Sequence, residues 1–218
     1  MLKNKKLSIL GDSISTYMGI SDDKEANSSL IFNPYFYREP FPLHGTYWQI
    51  LIDKLGLTLC VNNSYSGGNL SGVSDPYSGV NRAQSLARDN GETPDLIIVF
   101  MGINDLGRGI ADTVFENDYR LTLATIKKAY PNAAVCCVDL PDRDPFFEAR
   151  TEIFNQKIAE AVGDLGESFF IAHLSKSRLR GDFYYMNTLD GLHPDEDGMR
   201  IIAEVIEDAL VKHFNITD

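Results

Sequence analysis

KLSILGDSIS, positions 6–15, carries a short apolar run (Leu7, Ile9, Leu10) that Gly11-Asp12-Ser13 stops abruptly. The run predicts a buried strand, and the tripeptide a turn at its carboxyl end, with Gly11 letting the backbone turn tightly. In an open parallel sheet, ligands sit in the crevice beyond the carboxyl ends of the strands, so a hydroxyl on Ser13 would face a binding site. Gly-Asp-Ser is also ordinary turn chemistry, in which Asp and Ser bond their own backbone. Taken alone it favours a plain turn; later segments must supply the partners of a nucleophile.

Downstream, strand and helix patterns alternate. Residues 14–46 form a long loop whose second half is crowded with aromatics and prolines (FNPYFYREPFPLHGT). Its rings could stack on a sugar, cover an acyl chain, or simply pack the loop onto the core, and all three stay open. Helical spacing follows over 47–55, ended by Gly56. A strand over 57–61 runs into a polar loop, and a short helix is expected over 81–89. DLIIVFM, 95–101, is apolar after its first residue, as a central parallel strand covered on both faces should be. A helix over 114–130, a strand over 134–140, a helix over 147–165 and a strand over 168–172 come next. Residues 175–188 are a mostly polar loop, and Asp195 opens a last amphipathic helix. Such βα alternation predicts a three-layer α/β/α fold around a doubly wound, five-stranded parallel sheet with right-handed crossovers.

The chain has 218 residues, 44% apolar, which suits one domain over 1–218. Lys and Arg number 20 against 31 Asp and Glu, a net charge of −11. Neither nucleic-acid binding nor adhesion to an anionic membrane fits, since both need clustered positive charge. After MLKNKK no apolar segment follows that would make a signal peptide, and no later run approaches the roughly 20 residues of a spanning helix. Cys60, Cys136 and Cys137 are an odd number without metal spacing and read as buried thiols of a reducing compartment. A soluble, cytoplasmic protein without metal or cofactor is therefore expected, and matches such as Asn215-Ile216-Thr217 are chance rather than glycosylation sites. There is no Walker sequence, the glycines at 67, 68 and 72 lack dinucleotide spacing, and Gly-x-Ser-x-Gly is absent.

All strands of a parallel sheet point their carboxyl ends to one rim, which brings Ser13, Gly67 and Asn104 together. A serine hydroxyl needs a base within hydrogen-bond reach. Of the four histidines, His44, His173 and His213 have ordinary structural places. His193 has Asp190 three residues before it and Gly191 between, so the carboxylate could fix the imidazole tautomer and leave the other nitrogen for the serine proton. The competing explanation is a helix-opening turn that Asp190 caps. Acyl transfer also needs donors for an oxyanion, and a glycine N–H and a side-chain amide at strand ends are of the right kind.

Gly11-Asp12-Ser13, NNSYSG at 62–67, Gly102-Ile103-Asn104-Asp105 and Asp190-Gly191-Leu192-His193-Pro194 together resemble the four sequence blocks of the SGNH, or GDSL, hydrolases, from Leu7 to the last helix. The resemblance implies a flavodoxin-like fold and a serine esterase or acetylesterase. It implies Ser13 as nucleophile, His193 as base, Asp190 as its orienter, and the Ser13 N–H, Gly67 N–H and Asn104 amide as oxyanion hole. Ile14 stands where a leucine commonly follows the serine, a volume-conserving change, and Gly68 beside Gly67 leaves the second donor open by one residue. The expected substrate is a small ester, with an O-acetylated carbohydrate as the narrower candidate. Transfer of the acyl group to an alcohol, or a non-catalytic carbohydrate or lipid binder on the same fold, are the alternatives.

Overall fold

The computed structural model describes residues 2–16, 43–142 and 146–216. Most of the aromatic stretch discussed above, 17–42, lies outside them. Strand β1 (Lys6–Gly11) leads into a single 3-10 turn at Ser13–Ser15. Helix α1 (Tyr47–Leu55) begins on Thr46, whose hydroxyl accepts from the Gln49 N–H, and ends on Gly56 in the left-handed region at φ 66°. Then follow β2 (Thr58–Ser64), α2 (Gly79–Arg82), β3 (Leu96–Phe100), α3 (Ile103–Gly107), α4 (Asp112–Ala129), β4 (Ala134–Val138), α5 (Glu148–Gly163), β5 (Phe169–Ala172), α6 (Gly181–Met186) and α7 (Glu196–His213).

The five strands are parallel in the order β2-β1-β3-β4-β5. The chain therefore winds one way from β1 to β2 and the other way from β3 through β5. Right-handed crossovers then put α1 on one face and α4 and α5 on the other. Packing agrees: α1 lies against α7, and α4 against α2 and α5. β3, in the middle, is buried along its whole length, which is why its sequence runs apolar without alternation. On α4 the residues Phe115, Tyr119, Leu123 and Ile126 recur every three or four positions and are fully buried. Phe115 stacks on Phe154 of α5 with ring centroids 4.1 Å apart. Leu51 of α1 and Met199, Ile202, Ile206 and Leu210 of α7 fill the opposite face.

Four elements differ from the sequence expectation, one of them α3, a five-residue helix where no helix was expected. β2 does not stop at Val61 but continues through Asn62, Asn63 and Ser64, because these polar side chains find buried partners. Asn62 Nδ2 donates to the Ser15 carbonyl at 2.8 Å, Ser64 Oγ to Asn62 Oδ1 at 2.6 Å, and Asn63 Nδ2 to the Ser85 carbonyl at 2.9 Å. The helix expected over 81–89 is instead the single turn α2. The backbone beyond it is claimed by distant side chains: the Leu86 N–H by Tyr130 Oη, the Leu86 carbonyl by Ser8 Oγ, and the Gln84 carbonyl by Tyr130 Oη. Lastly, the polar loop over 175–188 contains α6, held inward by fully buried Tyr184.

Candidate active site

β1 delivers Ser13 to the carboxyl rim of the sheet. Gly11 is needed there for a different reason than a tight turn: it lies in extended strand, and a Cβ on it would come within 2.5 Å of Ser15 Cβ and 2.7 Å of Ser64 Oγ. Asp12 is buried and caps the 3-10 turn, its Oδ1 accepting from the Ile14 N–H at 3.0 Å. Desolvation pushes the Asp12 carboxyl up to about 7, against the opposing pull of that hydrogen bond and of the Arg82 cation.

His193 arrives from the other end of the chain, 180 residues on, with Nε2 3.0 Å from Ser13 Oγ. Its Nδ1 lies 2.7 Å from Asp190 Oδ2, while Asp190 Oδ1 accepts from the backbone N–H of His193 at 2.8 Å and of Leu192 at 3.0 Å. Desolvation works to raise the Asp190 pKa, but these hydrogen bonds together outweigh it and hold the carboxyl below its ordinary value. An ionised Asp190 can only accept, so Nδ1 carries the proton and Nε2 is left to accept from the serine hydroxyl. The loop is held from several sides. The Leu189 N–H donates to the His193 carbonyl at 2.8 Å, the Gly191 N–H to Thr188 Oγ1 at 3.0 Å, and Tyr184 Oη to the Leu192 carbonyl at 2.6 Å. Gly191 sits at φ 84°, a conformation that favours glycine. Asp190 does not cap the final helix; Asp195 does, accepting from the Gly198 N–H at 2.9 Å.

Gly67 and Asn104 lie on the same rim. Residues 65–68 form a turn closed by the Gly68 N–H on the Tyr65 carbonyl at 2.9 Å, with Gly67 at φ 72°. The Gly68 N–H is thus engaged, whereas those of Ser13 and Gly67 meet no acceptor among the described residues. Asn104 Nδ2 donates to the Gly68 carbonyl at 3.0 Å and lies 3.5 Å from Asp12 Oδ2. Next to it, buried Asp105 accepts from the Leu70 N–H at 2.7 Å and the Ser71 N–H at 2.9 Å.

Two arginines that sequence reasoning passed over hold this rim. Arg82 is buried and donates from Nε to the Tyr77 carbonyl at 2.8 Å, from Nη2 to the Gly11 carbonyl at 2.9 Å, and from Nη1 to the Asn63 carbonyl, tying the ends of β1 and β2 together. Burial lowers its pKa to about 10, with Asp12 opposing. Arg108, exposed, reaches the Gly67 carbonyl. Neither sits in a recognisable motif; only its partners reveal it. His173, given an ordinary structural place above, orients Nδ1 toward buried Asp139 at 2.9 Å, where Ser175 also donates from N and Oγ. Among the described residues no cluster of His, Cys, Asp and Glu could hold a metal ion, and no helix is long and apolar enough to cross a membrane.

Known proteins resemble this chain in sequence and in fold. The sequence model of the GDSL-like lipase/acylhydrolase family matches residues 9–201. An arylesterase of Vibrio mimicus is 25% identical over 183 residues, covering 79% of this chain and 82% of the arylesterase. Among solved structures, a candidate GDSL-like lipase from Bacteroides ovatus superposes with a TM-score of 0.71 at 23% identity, over 96% of this chain and 99% of the other. A family two carbohydrate esterase from Clostridium thermocellum, solved with cellohexaose, gives 0.68 at 17% identity, over 99% of this chain and 66% of the other. The chain belongs to the GDSL-like lipase/acylhydrolase family and is a carboxylic ester hydrolase.

Proposed function

We propose that the chain hydrolyses small esters, acetyl esters foremost, through an acyl-enzyme on Ser13. The observation that carries the proposal is the unbroken chain of hydrogen bonds from Asp190 through His193 to Ser13, 2.7 and 3.0 Å long. As Ser13 Oγ bonds to the substrate carbonyl carbon, its proton passes to His193 Nε2. Asp190 holds the ring and stabilises the imidazolium. The carbonyl oxygen becomes an oxyanion that the Ser13 and Gly67 N–H groups and the Asn104 amide receive; the engaged state of Gly68 favours Gly67 as the second donor. Collapse breaks the bond to the alcohol, which takes the proton from His193. Water then repeats the sequence on the acyl-enzyme and frees the acid.

An O-acetylated carbohydrate is the narrower substrate we favour, because a carbohydrate esterase is among the structural relatives. We further propose that residues 1–218 work as one cytoplasmic domain with no cofactor, in keeping with the three free, buried cysteines and the charge of −11, which disfavours nucleic acid and anionic membrane as partners. Turnover of p-nitrophenyl acetate tests the mechanism. Ser13→Ala is expected to lose several orders of magnitude, and a fluorophosphonate should label the wild type but not the variant. Activity retained in Ser13→Ala would overturn the acyl-enzyme.

A further inference from the structure

Building on the oxyanion hole just proposed, we infer that Arg108 is a positioning residue that sets the Gly67 N–H against the Asn104 amide. Arg108 follows α3 and is locked to it through its own N–H on the Asn104 carbonyl at 2.9 Å. Its Nη1 donates to the Gly67 carbonyl at 2.6 Å and also to Asn69 Oδ1. One five-residue helix and its cap thus grip five consecutive residues of the facing loop, 67–71. Arg108 holds Gly67 and Asn69, Asn104 holds the Gly68 carbonyl, and Asp105 holds the N–H groups of Leu70 and Ser71.

The tip of that loop needs holding. Gly67 at φ 72°, with Ser66 outside the positive-φ region and the Gly68 N–H on the Tyr65 carbonyl, makes residues 65–68 a type II turn. Two adjacent glycines leave its backbone with more freedom than any other pair would. The direction of the Gly67 N–H depends on where the tip rests, and Arg108 fixes the tip to the helix that carries the other donor. Arg88, Arg120, Arg150, Arg178 and Arg200 each pair with a carboxylate, whereas Arg108, among the described residues, has none in ion-pairing range. Its guanidinium is spent on a backbone carbonyl and an amide oxygen instead. Nη2 also lies 3.4 Å from where a Gly67 side chain would begin, so a positive charge stands beside the donor that meets the oxyanion.

Steady-state kinetics on p-nitrophenyl acetate, with inhibition by phenylboronic acid as a mimic of the tetrahedral state, tests the inference. Arg108→Ala is expected to lower kcat about tenfold to a hundredfold, the scale of a donor displaced by about an ångström, with KM shifted by less than about threefold. Its boronate Ki should rise by a factor comparable to the kcat loss. Arg108→Lys, which keeps the charge and can reach one of the two acceptors, should recover part of both. Asn69→Ala, which removes one acceptor and leaves the arginine, should show a smaller loss in the same two quantities and decides the matter if Arg108→Ala fails to fold. Wild-type kcat and boronate affinity in Arg108→Ala, or in Asn69→Ala where that variant decides, would overturn the role of Arg108 while an inactive Ser13→Ala leaves the esterase mechanism standing. An active Ser13→Ala would overturn the mechanism itself.

Discussion

At the scale of single residues, the end of β1 is crowded and buried, and Asp12 shows what that does to a charge. Two residues of the Gly-Asp-Ser turn have duties that the tripeptide does not advertise: Gly11 exists because Ser15 and Ser64 leave no space for a side chain, and Asp12 caps the turn from within the protein. Burial raises the Asp12 carboxyl from its usual 3.8 to about 7. Because the folded state holds that proton more tightly than the unfolded chain, the contribution to stability is present below about pH 4 and is lost as pH rises through about 7. Asp12→Asn keeps a neutral group that can still accept from the Ile14 N–H, so it should escape this loss. Urea denaturation from about pH 4 to about pH 8 is expected to show the wild type losing stability relative to Asp12→Asn as pH rises. Parallel curves would mean that Asp12 does not titrate differently in the fold.

At the scale of elements, the position of His193 depends on α7 and on the loop it abuts. Gly198, in the first turn of α7, is closed in by that loop: a Cβ there would lie 2.5 Å from the Asn187 carbonyl oxygen and 2.8 Å from Pro194 Cβ. The Asp195 N–H adds a hydrogen bond to the same Asn187 carbonyl at 3.0 Å, and Thr188 bridges to Pro194. Gly198→Ala must therefore push the helix away from the segment carrying Asp190 and His193. We expect a stability loss of about 1–3 kcal/mol by urea denaturation, as overpacking costs, together with lower kcat, although residue 198 belongs to no proposed contact with substrate. An unchanged midpoint and rate would show that the loop and helix move independently. The short elements around this loop were the least legible. α6 spans six residues, too few to display a period, and α2 stops early because Tyr130, Ser8 and Asn63 take the backbone groups a longer helix would need.

At the scale of the whole molecule, the sheet is a platform whose stability and chemistry separate. Ile98 lies at the centre of β3, paired with Ile9 on one side and Cys136 on the other, and is fully buried. Ile98→Ala should cost about 2–5 kcal/mol in urea denaturation through lost burial and a residual cavity. Activity per folded molecule should stay near wild type, because no candidate site residue touches that layer by hydrogen bond. A loss below about 1 kcal/mol would mean that the core collapses around the gap; a large loss of specific activity would mean that the rim shifts with the core.

The order of the five strands and the four long helices, the parallel sheet and the convergence of Ser13, Gly67 and Asn104 on one rim were legible in the linear chain. Apolar periodicity is a local property, and parallel strands leave only one edge at which their following loops can gather. Which N–H groups stay unengaged, why position 11 tolerates no side chain, and the roles of Arg82 and Arg108 were decided only in three dimensions. The arginine roles rest on contacts between residues far apart in the chain, up to 71 positions for Arg82 and Gly11. Position 11 is closed off in part by Ser64 of the neighbouring strand, and no local pattern of residue types encodes such contacts.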